Sequence, residues 1–285
     1  MEFSKLAKKN EMKIYDCFSY WDEDLLVDLR LNILNEYVDY FVIVEGNKTW
    51  QNNYKKLQFD VKKFEEFKDK IIYIPVEDMP GGENPWVREN FQRNCITRGL
   101  RDTNAEDLII ISDADEIPDL NNIKEYLKDK RYAVFKQKAF YYKLNMQNTT
   151  LSYWYGSRIC KKKYLKSPQW LRNLKFKKRA FWRLDKYRLN SIIQNGGWHF
   201  CNLKNPKDLL YKYKNMAETK DDFFAKNGVD GKIDAKYLTV EQIENSIKEG
   251  KNLVGKKEYF QKIKIDNTYP DYILKNIEKY KKWIS

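Results

Sequence analysis

The pattern that most constrains the fold is an alternation of strand-like and helix-like segments through the first 118 residues. Short runs rich in apolar and β-branched residues predict strands at residues 13–18, 40–45, 70–76 and 108–112. Between them, apolar residues at helical spacing predict helices at residues 22–37, 54–67 and 86–100. Because strands that alternate with helices form mostly parallel sheets, the sequence predicts an α/β fold with a nucleotide-binding type of core.

The pattern changes after residue 118, and no internal repeat or low-complexity linker marks a boundary. A long aromatic-rich strand is predicted at residues 132–142, and a loop or short strand at 196–200. Helices are predicted at residues 206–224, at 240–249 and, as a basic amphipathic segment, at 269–284. We therefore expect a single domain over residues 1–285, in which 1–118 and 119–285 are two halves of one unit.

Positive charge is concentrated in one part of the chain. The formal net charge is +13, and residues 161–188, here called the basic segment, hold twelve Lys or Arg against one acid, Asp185. Aromatic residues are interleaved with this charge. Such a pattern is typical of surfaces that attract nucleic acid, an anionic membrane, an acidic polysaccharide or a phosphorylated acceptor. The alternative interpretation is a solvated face on a basic protein.

Targeting signals and cysteine spacing bear on where the protein works. No apolar run reaches the roughly 18 residues of a membrane span, and the first 13 residues lack the apolar centre of a signal peptide. These features predict a cytoplasmic protein, with peripheral membrane contact through the basic segment and residues 269–284 as a further hypothesis. The four cysteines are widely spaced, which favours buried thiols over a disulfide framework or a zinc site.

Three carboxylates follow the predicted strand at residues 108–112. Asp113, Asp115 and Glu116 occupy its C-terminal end, where ligands gather in open α/β sheets. Carboxylate oxygens suit Mg²⁺ and Mn²⁺, ions that often pair with substrate phosphates, so the sequence predicts a metal site for a phosphorylated ligand. The competing interpretation is a solvated acidic turn before a helix.

The single histidine, His199, is a candidate second ligand. It follows Gly196 and Gly197, where the backbone can approach a ligand closely, and it lies beside Trp198. A neutral imidazole nitrogen could complete the coordination of a Mn²⁺ ion held by Asp115. A packed structural histidine is the alternative.

Two further segments suggest contacts with a nucleotide. Arg93, on the helix before the Asp113 strand, could bind diphosphate oxygens or a base edge, or it could be an ordinary surface arginine. The segment that begins at Glu45 could hydrogen-bond a nucleoside or form a polar turn. Neither a dinucleotide-binding fingerprint nor a phosphate loop is present, which argues against dehydrogenase and NTPase functions.

Taken in order, these motifs resemble glycosyltransferase family 17. The matching pieces span most of the chain: Phe41-Val-Ile-Val-Glu-Gly-Asn-Lys-Thr, Pro80-Gly-Gly, Arg93, Ile111-Ser-Asp-Ala-Asp-Glu-Ile-Pro, Gly197-Trp-His and Tyr272-Ile-Leu-Lys-Asn. The resemblance implies a GT-A fold with a Rossmann-like core and a mixed sheet. Residues 1–118 would bind the nucleotide sugar, and 119–285 would supply the acceptor side and C-terminal helices.

The resemblance also implies a reaction and a set of roles. It is a metal-dependent inverting transfer from a UDP-sugar, UDP-GlcNAc by default, to a hydroxyl of a glycan acceptor. Asp115 and His199 would ligate Mn²⁺ or Mg²⁺, with Asp113 contacting the ion through water or binding the donor ribose. Further roles are pyrophosphate binding by Arg93 and Lys55, uridine binding by Glu45 and Asn47, and proton abstraction by Glu116 or by the later group of Glu218, Asp221 and Asp222, which we favour.

Two rival functions remain compatible with the residues. A metal-dependent nuclease or phosphoryl transferase would explain the carboxylates and the basic segment, and it predicts salt-sensitive nucleic-acid binding. A noncatalytic sugar-binding protein would keep the fold without turnover. Trp154, Trp170 and Trp198 could stack on sugar rings, although buried aromatic residues mostly belong to cores.

Overall fold

The computed structural model describes residues 12–121, 123, 130–175, 191–217, 238–252 and 257–285. Within these ranges a single mixed sheet contains eleven strands. The strands are β1 (Ile14–Tyr20), β2 (Tyr40–Gly46), β3 (Ile71–Val76), β4 (Leu108–Asp113), β5 (Glu116–Pro118), β6 (Tyr132–Tyr141), β7 (Met146–Asn148), β8 (Tyr153–Lys161), β9 (Ile192–Ile193), β10 (Gly197–Cys201) and β11 (Phe260–Lys262). The helices are α1 (Asp24–Leu34), α2 (Pro85–Asn94), α3 (Pro168–Asn173), α4 (Pro206–Asn215), α5 (Val240–Glu249) and α6 (Asp271–Lys275).

The sheet combines a parallel part with an antiparallel part. Strands β3, β2, β1 and β4 are neighbours in that order and run parallel, as the strand–helix alternation predicts. Beyond β4, strands β8 and β6 add antiparallel pairs, and β10 lies between β5 and β6. The order therefore reverses between β1 and β4, which is the kind of crevice where open α/β sheets bind ligands. The α/β class is confirmed, with strands from both halves in one sheet.

Hydrophobic residues cover both faces of the parallel strands. In β1, Ile14 and Phe18 point to a core shared with α1, whereas Tyr15 and Cys17 point to the opposite core. This alternation follows from the two-residue side-chain period of a strand. The 3₁₀ helix Cys95–Leu100, which continues α2, packs on the second face. The sheet is thus covered on both sides, and a ligand can reach it only at the ends of its strands.

Two predicted helices differ from the observed elements. The helix expected at residues 54–67 is replaced by irregular chain up to Asp60 and the 3₁₀ helix Val61–Lys70. The irregular part is held by the Glu45 carboxylate, which accepts the backbone N–H groups of Gln58 and Phe59 at 2.8 and 2.9 Å. The helix expected at 269–284 is interrupted at Asn276, between α6 and the 3₁₀ helix Ile277–Trp283.

The remaining expectations for helices agree with the structure where it can be compared. Helix α5 coincides with the predicted 240–249 segment and begins with a capping box between Thr239 and Gln242. Helix α4 covers the start of the predicted 206–224 segment, whose last part lies outside the described residues. No helix in the described ranges has both the length and the apolar character needed to cross a bilayer.

Candidate active site

A cavity of about 520 Å³ opens beside the carboxyl ends of β1 and β4. Its wall contains five of the ionisable residues singled out from the sequence: Arg93, Asp113, Asp115, Glu116 and His199. They come from α2, from the turn after β4, and from β10. The sheet topology therefore assembles groups that are far apart in the chain, as expected for a site at strand ends.

The turn formed by residues 113–116, here called the carboxylate turn, is supported by a buried arginine on α1. The Arg30 guanidinium makes two bonds to the Asp16 carboxylate, at 2.6 and 2.5 Å, and both side chains are completely buried. Its remaining terminal nitrogen donates to the backbone carbonyl of Glu116 at 2.6 Å and to that of Asp113 at 3.3 Å. The backbone of the turn is thus fixed by a charged donor, which makes stronger hydrogen bonds than a neutral one.

Both carboxylate oxygens of Asp113 are bonded to arginines. Arg93 reaches one oxygen at 3.1 Å, and Arg172 reaches the other at 2.5 Å. Partial burial would raise the pKa of Asp113, but the charges of Arg172 and Arg93 outweigh it and hold the pKa well below its usual range. Asp113 is therefore an anion that is already neutralised by two cations.

Glu116 lies at the centre of the same network and is completely buried. Arg172 donates to both of its oxygens, at 2.5 and 2.7 Å, and the Trp154 indole N–H donates at 2.7 Å. The Asp113 backbone N–H adds a bond of 3.0 Å. With its lone pairs engaged in this way, Glu116 has the environment of a positioning residue, whereas a general base needs a free lone pair facing the acceptor.

Asp115 and His199 form a separate group with Cys201. A ring nitrogen of His199 lies 3.5 Å from the Asp115 carboxylate, and ligand atoms of all three residues lie within 4.8 Å of one another. Burial would lower the pKa of His199, but the Asp115 carboxylate outweighs it and raises the pKa well above its usual value. Trp154 stacks on the imidazole with ring centroids 5.1 Å apart. The group offers an oxygen, a nitrogen and a sulfur donor.

The two glycines before His199 permit a close approach of backbone to backbone. Gly197 has φ +111°, and a Cβ atom there would lie 2.2 Å from the carbonyl oxygen of Ile117 in β5. The sequence suggested such an approach to a ligand, but the neighbour is strand β5, which pairs with β10. The glycine therefore acts on the site indirectly, by letting His199 lie next to the carboxylate turn.

The far wall of the cavity is aromatic and carries additional charge. Trp21 and Trp50 lie with ring centroids 5.2 Å apart, and their buried indole N–H groups have no hydrogen-bond partner within the described residues. Glu258 also lines the cavity and accepts bonds from the side-chain amides of Asn148 and Asn252, each at 3.2 Å. No cation in the described ranges forms an ion pair with Glu258. Glu258 is therefore a carboxylate near the site that can still accept a hydrogen bond or a proton.

The structure does not bring three of the expected nucleotide-binding residues to this cavity. Glu45 is completely buried and pairs with Lys55, and it also accepts the Tyr73 hydroxyl at 2.9 Å. Asn47 donates its side-chain amide to the Glu77 carbonyl at 3.0 Å. These partners give Glu45 and Lys55 a structural role in holding the chain after β2. The predicted catalytic residues Glu218, Asp221 and Asp222 lie outside the described residues.

Of the aromatic and basic candidates, some lie at the cavity and others lie elsewhere in the fold. Trp154 is at the site, whereas Trp170 packs against Tyr132, with ring centroids 5.5 Å apart, in the core. Trp198 points to the other face of β10 and donates to the Thr268 carbonyl at 3.0 Å. The basic segment is described up to residue 175, and it supplies Arg172 through the short helix α3.

Sequence reasoning did not identify Arg30, Arg172 or Cys201 as members of the site. A usable signal existed for two of them. Cys201 follows His199 by two positions, just past the loop or short strand predicted at 196–200; extending that strand by one residue would have placed both side chains on one face. Arg172 follows Ser167-Pro168, a start signal for a helix, which sets it apart from the rest of the basic segment. Nothing in the local pattern around Arg30 indicates a contact with a turn more than 80 residues away.

Comparison with known proteins places this geometry in context. The family model described as Glycosyltransferase family 17 matches residues 4–284. The chain is 25% identical over 286 residues to the β-1,4-mannosyl-glycoprotein 4-β-N-acetylglucosaminyltransferase of Homo sapiens, covering 90% of this chain and 52% of that protein. The Rattus norvegicus protein of the same name is 25% identical over 287 residues, with 90% and 51% covered. The chain thus spans about half the length of the relatives it matches.

Proposed function

This chain belongs to glycosyltransferase family 17, and we propose that it is a metal-dependent inverting glycosyltransferase. The donor in this proposal is a UDP-sugar, UDP-GlcNAc in the first place, and the acceptor is a hydroxyl of a glycan. The relatives named above are N-acetylglucosaminyltransferases that act on a mannosyl glycoprotein, which supports both assignments. A GT-A arrangement is part of the proposal: residues 1–118 supply the nucleotide-sugar side, joined by Arg172 and His199 from the second half, and residues 119–285 supply the acceptor side.

The observation that carries the proposal is the pairing of Asp115 with His199 in the cavity at the end of β4. Their donor atoms, 3.5 Å apart, suit a divalent transition ion that takes oxygen and nitrogen ligands. Such an ion, when bound, neutralises negative charge that develops on the diphosphate leaving group. The residues present therefore fit the cation that the family resemblance implies.

The two arginines beside the cation site suit a diphosphate. Arg93 and Arg172 both contact Asp113, and Arg93 also pairs with Glu89 at 2.6 Å. Guanidinium groups bind phosphate oxygens in a bidentate manner, and they do so strongly where water is excluded. In the proposal, Asp113 holds these arginines in place, and the diphosphate binds against their remaining donors.

The proton of the acceptor hydroxyl must go to a base on the side away from the leaving group. Among the described residues we assign this role to Glu258, because it lines the cavity, is held by Asn148 and Asn252, and has no cationic partner. Glu218 and Asp222 remain predictions for the same role. The aromatic wall of Trp21 and Trp50 offers a stacking surface for a sugar ring or a base.

Isothermal titration of UDP-GlcNAc, UDP-glucose, UDP-galactose and GDP-mannose tests the donor site. Each ligand is titrated with Mn²⁺ and with EDTA, into wild type, Asp115→Asn and the control Asp78→Asn, which changes an exposed surface carboxylate. We expect binding of one UDP-sugar that needs the ion, survives in the control, and is lost in Asp115→Asn. Absence of ion-dependent binding for every nucleotide sugar would contradict the proposal, and salt-sensitive binding of nucleic acid would favour the nuclease alternative.

Contact with an anionic membrane is a further part of the proposal, and it can be tested directly. We propose a cytoplasmic protein that contacts anionic surfaces through the basic segment. Co-sedimentation with vesicles that contain phosphatidylserine, but not with neutral vesicles, is expected at low salt and should weaken as salt is added. Equal co-sedimentation with both kinds of vesicle would contradict the proposal.

A further inference from the structure

We propose that the Cys201 thiolate is the third protein ligand of the cation, and that the site therefore prefers Co²⁺ or Zn²⁺ to Mg²⁺. The inference rests on the proposed function, because it concerns the ion held by Asp115 and His199. It goes beyond that function in naming a ligand and a class of metal. A site of carboxylate, imidazole and thiolate differs in chemistry from the oxygen-rich sites typical of Mg²⁺.

The backbone holds the three donors together without any help from a metal. His199 and Cys201 are two residues apart in β10, so their side chains share one face of the strand. Between them, the Phe200 backbone N–H donates to the Asp115 carbonyl at 2.9 Å. This bond places Asp115 opposite both partners, and their ligand atoms lie within 4.8 Å of one another. The arrangement is preorganised by strand pairing.

The other carboxylates of the turn are engaged elsewhere. Both oxygens of Asp113 are bonded to arginines, and Glu116 accepts from Arg172, Trp154 and a backbone N–H. Four hydrogen bonds fill the acceptor sites of Glu116, whereas Asp113 keeps a lone pair on each oxygen but lies against two guanidinium charges, which repel a cation. Across the described parts of the chain, no other group of three His, Cys, Asp or Glu residues brings its ligand atoms as close together. Cys201 is thus the available third ligand.

Coordination by Cys201 requires its thiolate form, so binding of the ion releases protons. The Cys201 thiol and the protonated His199 ring each give one proton to solvent as the sulfur–metal and nitrogen–metal bonds form. The thiolate lowers the net charge of the site by one relative to binding through Asp115 and His199 alone. Thiolate and imidazole together favour Zn²⁺ and Co²⁺, whereas carboxylate and water favour Mg²⁺ and Mn²⁺. Three protein ligands leave coordination positions open for oxygens of the substrate, as in catalytic metal sites.

The cysteine inventory makes the inference easy to test. All four cysteines are described; Cys17, Cys95 and Cys160 are buried, and Cys201 is partly exposed. Alkylation of the folded protein by iodoacetamide therefore reports mainly on Cys201. Burial also raises the pKa of the Cys160 thiol to about 12, which suppresses its reaction near neutral pH.

The experiment uses the full chain as wild type, Cys201→Ser, Cys201→Asp and the control Cys95→Ala. Co²⁺ is titrated into each protein while the near-ultraviolet absorption that marks a thiolate–cobalt bond is followed, and iodoacetamide labelling is measured with and without Zn²⁺. We expect the absorption band and protection by Zn²⁺ in wild type and in the control. Cys201→Ser should lose the band and bind Co²⁺ at least about 10-fold more weakly, since even second-shell changes cost that much. Cys201→Asp should lose the band and gain affinity for Mg²⁺.

The outcomes separate this inference from the proposed function. If wild type and Cys201→Ser bind Co²⁺ equally, without the band and without protection of the thiol, the thiolate ligand is refuted and the proposed function stands. If wild type binds no divalent ion while UDP-GlcNAc still binds in EDTA, the inference and the metal dependence fall together. Circular dichroism and the urea midpoint confirm that each variant is folded, and Cys201→Asp provides a readout if Cys201→Ser does not fold.

Discussion

Replacing Arg30 by methionine is expected to destabilise the protein far more than removing a surface ion pair does. Arg30 makes two bonds to Asp16 with both side chains fully buried, so Arg30→Met leaves a buried carboxylate without its cation. Breaking a buried pair from one side costs about 3–5 kcal/mol. The Glu116 carbonyl also loses a charged donor at 2.6 Å, worth about 1.5–3 kcal/mol, although the Ser157 hydroxyl still donates to it at 3.2 Å.

The expected loss is therefore about 5 kcal/mol, a large share of the roughly 5–15 kcal/mol that stabilises a typical domain. The assay is urea unfolding followed by tryptophan fluorescence, with the free energy of unfolding extrapolated to water. The matched control is Lys63→Met, which removes an ion pair to Asp24 at the start of the same helix α1. Because both partners of that pair are largely exposed, its removal should cost no more than about 1 kcal/mol.

A double variant separates the ion pair from the support of the carboxylate turn. Asp16→Leu combined with Arg30→Met removes the orphaned charge, and a buried ion pair replaced by apolar groups is often neutral in stability. The double variant should therefore regain most of the loss yet still bind the divalent ion more weakly, since the turn carbonyls lack their donor. A loss for Arg30→Met within 1 kcal/mol of the Lys63→Met value would refute the reasoning, as would a double variant no more stable than the single one.

Three other outcomes are expected. Glu258→Gln should lower kcat by about 10²–10⁴-fold with little change in the KM for the donor, because the general base is lost. The control Glu249→Gln changes an exposed carboxylate and should leave kcat unchanged. Both constants are measured by steady-state kinetics. Lys55→Met should cost about 3 kcal/mol in urea unfolding and leave donor affinity unchanged, because Lys55 pairs with buried Glu45 and does not itself line the cavity. Its ammonium lies 5.8 Å from the ring centroid of Trp21 in the cavity wall, so weaker donor binding would restore its predicted pyrophosphate role. The free energy of unfolding should fall as the pH drops below about 4, because Arg172 and Arg93 hold the pKa of Asp113 low in the folded protein. The ion pairs of Asp113 stabilise the fold above the pKa of the unfolded chain and are lost when the carboxylate is protonated. In Asp113→Asn, the free energy of unfolding should depend less on pH in this range.

The sequence was most informative where local pattern and tertiary environment agree. Strands β2, β3 and β4 begin with nearly continuous apolar runs, and β1 is mostly apolar apart from Asp16 and Ser19, because both faces of the sheet are covered. Such runs are recognisable without any knowledge of their neighbours. The carboxylate turn and His199 could likewise be found from strand ends and residue chemistry, and the structure brings them into one cavity.

The sequence was least informative where a distant partner decides the local structure. Residues 54–60 have a helical pattern, but the Glu45 carboxylate takes two of their backbone N–H groups and so prevents the first helical turn. Glu45 and Lys55 are polar residues near a strand end, a pattern that cannot distinguish a nucleoside contact from a buried ion pair. Arg172 lay within a run of basic residues, and only the folded chain shows that its charge is matched by Asp113 and Glu116.

The hydrogen bond from Phe200 to Asp115 has a consequence for the order in which the protein acquires its parts. Asp115 belongs to the half of the chain that leaves the ribosome first, whereas His199 and Cys201 follow only after β6 and β8 have been made. The nascent sheet can pair β1 with β2 and β4 early, but it cannot hold a cation until β10 has docked beside β5. A cation that binds only the finished fold raises the free energy of unfolding by about 2.7 kcal/mol when its free concentration is 100 times its dissociation constant. Cation binding would then follow the docking of β10, and it would stabilise the pairing of that strand with β5.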